Sequence, residues 1–243
     1  MNRPGVARGG KAVYGAAVGI LMLEARFPRI PGDVGNAATW PFPVLYKVVP
    51  GASPERVVQR RAEGLLEAFV AGAKELVALG ADGIATNCGF LSLFQEELAA
   101  ACGVPVATSA LMQAPMIERL LPPGRRVGII TISAASLSDE HLRAAGVPSG
   151  TPVVGTEGGR TFSRTLLGNE LELDVAGAEA DILAAGEELV ARHPEVGAVL
   201  LECTNMCPYA AALRERLGLP VFDMVSFVTW FHGGLVPRRW PAP

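Results

Sequence analysis

Two stretches of this chain repeat each other, and the repeat constrains the possible folds more than any other feature of the sequence. Glu75-Leu76-Val77-Ala78 recurs as Glu188-Leu189-Val190-Ala191, and each copy is followed by an apolar stretch and then a cysteine. Cys203 lies 115 positions after Cys88. The same offset relates four further pairs, namely Leu98 and Leu213, Gly103 and Gly218, Pro105 and Pro220, and Val106 and Val221. We therefore expect two related lobes that each carry one thiol at an equivalent place.

Helical patterns and short apolar strands alternate along both halves, which is typical of an α/β fold with parallel sheets. Val18-Gly19-Ile20 and Val127-Gly128-Ile129 also match each other, as the first strands of the two halves. Ser53-Pro54-Glu55 is a strong helix start, and the helix that it opens is expected to end at Gly80. Further helices are predicted over residues 91–101, 136–145 and 174–193.

The sequence Pro122-Pro123-Gly124 interrupts the chain near its middle and marks the boundary between the halves. We predict an α/β protein of two pseudosymmetric lobes, each a parallel sheet flanked by helices. The N-terminal lobe is expected over residues 1–123 and the second lobe over 124–224. The duplication would allow the two thiols to face one another.

Charge and hydropathy exclude several classes of partner. The formal net charge of −3 provides no basic field for nucleic acid or for an anionic membrane surface. The apolar run from Ala12 to Leu23 is too short to span a bilayer and is followed directly by charged residues, so we predict a buried strand and a soluble, cytoplasmic protein. Four cysteines in a chain of 243 residues do not form a disulfide framework.

The two repeated cysteines stand where a strand ends and a helix begins, which is the edge where open parallel sheets bind ligands. A helix start stabilises anions, so a thiol there is expected to have a pKa below its usual value. Asn87, Thr204 and Asn205 are neighbours with short polar groups for a substrate carboxylate. Racemisation needs a base on one face of a carbon and an acid on the other, and two thiols provide both without a metal or an organic cofactor.

At these residues the chain resembles the aspartate/glutamate racemase superfamily. The resemblance covers nearly the whole chain and depends on Thr86-Asn87-Cys88-Gly89-Phe90 and Glu202-Cys203-Thr204-Asn205-Met206, with the first-lobe segment Arg26 to Lys47 similar to a poorly characterised branch. It implies an active site in the cleft between lobes, with Cys88 and Cys203 flanking the reacting carbon. It also implies a small carboxylate substrate, a homodimer, and a last helix, predicted over 225–243, that packs back on the first lobe.

One departure from the family bears on the substrate. Glutamate and aspartate racemases follow the first cysteine with Asn-Thr, whereas here Asn87 precedes Cys88 and Gly89-Phe90 follow it, which is more like the hydantoin racemases. Thr204 matches the Cys-Thr pair that binds carboxylate in these enzymes. The predicted catalytic residues are Cys88 and Cys203, and the predicted substrate contacts are Asn87, Gly89, Phe90, Thr204, Asn205, Asn36 and Thr131. Asn36 and Thr131 follow the first strands and are equally well explained as structural.

Two alternatives to a racemase or epimerase remain open on the sequence. One is a maleate-type cis–trans isomerase, in which a single thiolate adds to the double bond. The other is a non-catalytic protein whose two lobes close around a small anion, since a fold does not fix a function. Cys102 and Cys207 are interpreted as packing residues.

Overall fold

The computed structural model of the chain describes residues 7 and 9–241 and contains two four-stranded parallel sheets. The remaining positions of the predicted 1–123 lobe and of the predicted 225–243 helix lie outside the described residues. The first sheet has the order β2-β1-β3-β4 and the second has the equivalent order β6-β5-β7-β8. The strands are β1 Val18–Leu23, β2 Val44–Val49, β3 Gly83–Thr86, β4 Val106–Ala107, β5 Arg126–Thr131, β6 Val153–Gly155, β7 Val196–Leu201 and β8 Val221–Phe222. The predicted α/β fold of two related sheets is confirmed.

Helices cover both sheets, and their bounds are α1 Pro54–Val58, α2 Leu66–Leu79, α3 Gln95–Cys102, α4 Ala114–Leu120, α5 Asp139–Ala144, α6 Phe162–Leu167, α7 Val175–Arg192, α8 Ala210–Leu217 and α9 Met224–Leu235. Short 3₁₀ helices span Ala37–Thr39, Gly89–Phe94, Ala110–Gln113 and Thr204–Tyr209. None of the helices in the described part of the chain combines the length and apolar character needed to cross a bilayer.

The repeat seen in the sequence is also present in the backbone. Cys88 and Cys203 each stand at the N-cap of a 3₁₀ helix, two residues after the last residue of β3 and of β7. Gly103 and Gly218 end α3 and α8 with φ values of +67° and +66°, the left-handed conformation that glycine adopts without strain. The two thiols are therefore carried by equivalent strand–turn–helix units.

The helix predicted from Ser53 to Gly80 is divided in two. α1 ends at Val58 and α2 starts at Leu66, because Arg61 and Ala62 adopt left-handed φ values of +54° between them. The guanidinium of Arg56 donates to the carbonyl of Glu63 at 2.9 Å and holds this turn. The predicted 136–145 helix also begins later, at Asp139, after a capping box formed by Ser138 and His141. The strand β2 was not predicted.

The last helix, α9, packs on strand β3 of the first sheet. Gly83 makes the close approach possible, since a Cβ atom there would lie 2.6 Å from Leu235 Cδ1 and 2.7 Å from Phe231 Cζ. The ring of His232 stacks on Phe42 with 3.7 Å between centroids. α9 ends at Leu235, earlier than the sequence predicted, where Gly233-Gly234 and a following proline weaken helical structure.

Candidate active site

Cys88 and Cys203 line one small cavity at the carboxyl edge of β3 and β7. Its volume is about 20 Å³, enough for about one water-sized group. Its walls come from the segments that follow β1, β3, β5 and β7, from Leu23 at the end of β1, and from helices α1 and α6. The lining residues are Leu23, Phe27, Arg29, Pro54, Val58, Asn87, Cys88, Phe90, Ile132, Leu166, Leu167, Glu202, Cys203 and Asn205. A substrate larger than a few atoms therefore enters only if these walls move apart.

The environment of both thiols disfavours the thiolate. Burial is the main cause that raises the pKa of Cys88, followed by the negative charge of Glu202. The same two causes, in the same order, raise the pKa of Cys203 well above its usual value, and Cys88 itself adds to the effect. The lowered pKa expected from the sequence is therefore wrong for this structure, because loss of hydration outweighs the backbone N–H groups at the turn.

Glu202 is a buried carboxyl that sequence reasoning did not single out. Burial raises its pKa from 4.5 to about 7, against hydrogen bonds from Thr131 and from the backbone of Ile132 that lower it. Thr131 Oγ1 donates to Oε2 at 2.7 Å, while Oε1 has no hydrogen-bond partner within the described residues. Oε1 lies against Gly89, where a Cβ atom would be only 2.2 Å away. A side chain at position 89 would collide with this carboxyl.

Asn87 and Glu202 occupy the same position in the two lobes, one residue before each cysteine. The N–H of Asn87 donates to Leu21 O, as that of Glu202 donates to Ile130 O on the corresponding strand. Asn87 Oδ1 accepts from the backbone N–H of Leu23 at 2.8 Å. Asn87 Nδ2 is buried and finds no acceptor among the residues that the structure describes. One lobe thus presents an amide donor at this point, and the other presents a carboxyl.

Arg29 brings a guanidinium into the same cavity, and sequence reasoning did not single it out either. Its Nη1 forms an ion pair with Asp33 Oδ1 at 2.9 Å, and the guanidinium lies 4.7 Å from the centre of the Phe27 ring. Its Nη2 is buried without a hydrogen-bond partner in the described part of the chain. Asp33 also accepts a hydrogen bond from Asn205 Nδ2, so the ion pair connects the loop after β1 to the second lobe.

The structure places the predicted substrate contacts in four different settings. Asn87, Phe90 and Asn205 line the cavity. Thr204 is buried beside it, and its hydroxyl donates to the carbonyl of Asn87 at 2.6 Å across the lobes. Asn36 lies outside the lining, where its side chain accepts from the N–H of Ala38 and donates to Arg29 O.

Gly89 and Thr131 are not among the described lining residues, but both contact Glu202, which is. Of the residues missed, Glu202 had a signal in the sequence, because it is a charged residue directly after the apolar run 198–201 and at the repeat position of Asn87. Arg29 had no such signal, since it belongs to a non-repeating loop.

Two α/β lobes with a cysteine at each sheet edge and one cavity between them define a class of two-lobed proteins with a shared interlobe site. A family model described as Asp/Glu/Hydantoin racemase matches residues 51–231, and the chain belongs to that family.

Named relatives and solved structures extend the comparison. The chain is 27% identical over 229 residues to a dimethylsulfoniopropionate lyase of Durusdinium sp. clade D, covering 91% of this chain and 75% of that one. It is 30% identical to dimethylsulfoniopropionate lyase 5 of Emiliania huxleyi (strain CCMP1516), over 89% of this chain but only 45% of the relative's length. The crystal structure of allantoin racemase from Pseudomonas fluorescens shares the fold, with a TM-score of 0.56, 16% identity, and coverage of 93% of this chain and 99% of that one.

Proposed function

We propose that this protein is a cofactor-independent enzyme that removes a proton from a carbon next to a carboxylate, with Cys88 and Cys203 as its acid and base. The observation that carries the proposal is that the two thiols, on equivalent turns of two lobes, line one cavity. Two other residues of its lining carry buried N–H donors that have no acceptor among the described residues. Family membership supports chemistry on small carboxylates.

The proposed reaction begins when one cysteine, as thiolate, takes the proton from the α-carbon. The electron pair of the broken C–H bond delocalises into the carboxylate as an enediolate. The thiol on the opposite face then gives its proton to the same carbon, which inverts the configuration and leaves that sulfur as thiolate. The raised pKa of both thiols means that a thiolate, once formed in the cavity, is a stronger base than a free cysteine. Racemisation or epimerisation is the overall result.

Exchange of the α-proton in deuterated water tests this step directly. Candidate amino acids, hydantoins and simple carboxylates are incubated with the protein, and loss of the α-proton signal is followed by NMR. Cys88→Ser and Cys203→Ser are each expected to reduce exchange about a hundredfold or more. Cys102→Ser is the matched control, since this cysteine lies on α3 outside the cavity lining. Undiminished exchange in both active-site variants would refute the two-thiol mechanism.

A second candidate reaction, β-elimination, is favoured by the relatives named as dimethylsulfoniopropionate lyases. It starts with the same α-proton removal. The carbanion then forms a C=C bond and expels the β-substituent, so that the C–S electron pair leaves with sulfur and dimethyl sulfide and acrylate result. Gas chromatography of dimethyl sulfide separates the two reactions. Release that depends on Cys88 or Cys203 would identify a lyase, and binding of carboxylates with neither reaction would favour the anion-binding alternative.

A further inference from the structure

We infer that Arg29 and Asn87 form a subsite for a single carboxylate group beside Cys88, so that the substrate is a monocarboxylate with an otherwise apolar body. The inference rests on the proposed function and adds the residues that hold the substrate and the class to which the substrate belongs. Neither residue acts on the reacting carbon. Both are substrate-binding groups.

Two of the residues that line the cavity have unused hydrogen-bonding capacity. Arg29 Nη2 and Asn87 Nδ2 are both buried, both belong to residues that line the cavity, and neither has an acceptor among the described residues. Buried donors without partners are costly, and a carboxylate oxygen would satisfy each of them. Arg29 and Cys88 line the same small cavity, and the charge of Arg29 lowers the pKa of that thiol.

The second observation is that Arg29 is held in place by its surroundings. Asp33 fixes one guanidinium nitrogen, and the Phe27 ring supports the guanidinium. Gly35 packs against the arginine so closely that a Cβ atom there would be 2.5 Å from Arg29 Cδ. Gly32 lies against Pro208 of the second lobe, where a Cβ atom would be 2.9 Å from Pro208 Cα. The guanidinium is therefore preorganised, and little of its side-chain freedom remains to be lost on binding.

The third observation concerns the rest of the cavity. Arg29 is the one basic side chain among the described residues that line the cavity, and its ion pair with Asp33 neutralises part of its charge. The lining also contains Glu202, whose carboxyl, once ionised above about pH 7, would repel a second carboxylate of the substrate. Most of the remaining walls are apolar side chains, such as Phe27, Val58 and Leu166. One anionic group and an apolar remainder match these walls, and a dicarboxylate does not.

The subsite is tested by comparing the rates at which two reagents of nearly equal size alkylate Cys88. Iodoacetate carries a carboxylate next to its reactive carbon, and iodoacetamide carries a neutral amide. In either case the thiolate sulfur bonds to the CH₂ carbon and iodide leaves, after the thiol has lost its proton to solvent. The rate ratio of iodoacetate to iodoacetamide is measured at Cys88 by peptide mass spectrometry, with glutathione as the free-thiol reference and Cys102 as the internal one. We expect the ratio at Cys88 to exceed that of glutathione about tenfold or more.

Arg29→Met is expected to return the ratio at Cys88 to the glutathione value and to leave the ratio at Cys102 unchanged. Arg26→Met is the matched control, because Arg26 is exposed in the same loop and does not line the cavity. An unchanged ratio in Arg29→Met, or a wild-type ratio equal to that of glutathione, overturns the inference. If Arg29→Met makes alkylation of Cys88 by both reagents too slow for a ratio to be measured, Arg29→Lys decides, since it keeps the charge. A preference for iodoacetate retained by lysine supports the subsite, and its loss refutes it.

Protection by unreactive acids tests the substrate class. Propionate is expected to slow alkylation of Cys88 by iodoacetate, and succinate at the same concentration is expected to have no effect. Protection by succinate that equals that of propionate refutes the monocarboxylate assignment. Alkylation needs no turnover, so these results are independent of the α-proton exchange. A failed exchange assay with a high alkylation ratio would reject the proposed reaction and keep the subsite.

Discussion

Replacing Glu202 by glutamine is expected to remove a large pH dependence of folding stability. The carboxyl is fully buried, and burial raises its pKa from 4.5 to about 7. The difference corresponds to roughly 3 kcal/mol, since each pH unit contributes about 1.4 kcal/mol per proton. Glutamine keeps the size of the side chain and one oxygen acceptor for Thr131, and it has no proton to lose.

The sign follows from which state holds the proton more tightly. Below pH 4.5 the carboxyl is protonated in both the folded and the unfolded chain and causes no pH dependence. Between pH 4.5 and about 7 the unfolded chain loses this proton while the folded protein keeps it, so the free energy of unfolding falls as the pH rises. Above pH 7 the full penalty of about 3 kcal/mol is present in the wild type and absent from the variant.

Urea unfolding of both proteins from pH 4 to pH 8.5 measures the effect as a difference between two curves. The other buried groups with shifted pKa values, such as His141 and Asp223, titrate in both proteins and cancel in the difference. Glu215→Gln is the control, because Glu215 is exposed on α8 of the same lobe. We expect the gap between Glu202→Gln and wild type to grow by about 3 kcal/mol across this range. Two parallel curves would show that the Glu202 carboxyl is solvated and that the reasoning is wrong.

Two further substitutions test contacts beside the thiols. Gly89→Ala is expected to cost about 1–3 kcal/mol in the free energy of unfolding, because the new Cβ atom would lie 2.2 Å from Glu202 Oε1. Gly233→Ala, on α9 with open space around it, is expected to stabilise slightly in the same urea unfolding assay, and equal effects of the two would contradict the packing. Thr204→Val should lose about 1 kcal/mol in urea unfolding, because it removes the hydroxyl that donates to Asn87 O across the lobes. Thr204→Ser keeps this donor and should remain close to wild type, and a valine variant as stable as wild type would show that the bond contributes nothing.

The repeat made the fold and the position of the thiols predictable. Each half of the chain has hydrophobic strands, a cysteine and a glycine at the same offset. The backbone is therefore alike in the two lobes, since each lobe must bury the same faces and end its helix with a left-handed residue. Gly103 and Gly218 show this with nearly equal φ values. A cysteine at the end of a buried parallel strand is at the sheet edge whatever its neighbours are.

The chemistry of the site was less predictable, because it depends on depth and on a loop. The sequence shows that Cys88 ends a strand, and it does not show how completely the opposite lobe excludes water from the sulfur. The prediction that the pKa of the thiol is lowered was wrong for that reason. Arg29 reaches the cavity through packing against Gly35 and pairing with Asp33, contacts that follow no periodic pattern.

Asn87 and Glu202 stand at equivalent positions of the two lobes but differ in chemistry, and this difference has a consequence for kinetics. A racemase interconverts mirror-image molecules of equal free energy, so its kcat/KM values in the two directions must be the same. The individual constants need not be. The amide of Asn87 precedes one cysteine and the carboxyl of Glu202 precedes the other, so the two lobes differ chemically around the thiols although the charge of Glu202 acts on both. In the proposed racemisation, the two enantiomers present their hydrogens to opposite sulfurs. The proposed racemisation therefore predicts that the two enantiomers saturate this protein at different concentrations and turn over at different maximal rates, in compensating proportion.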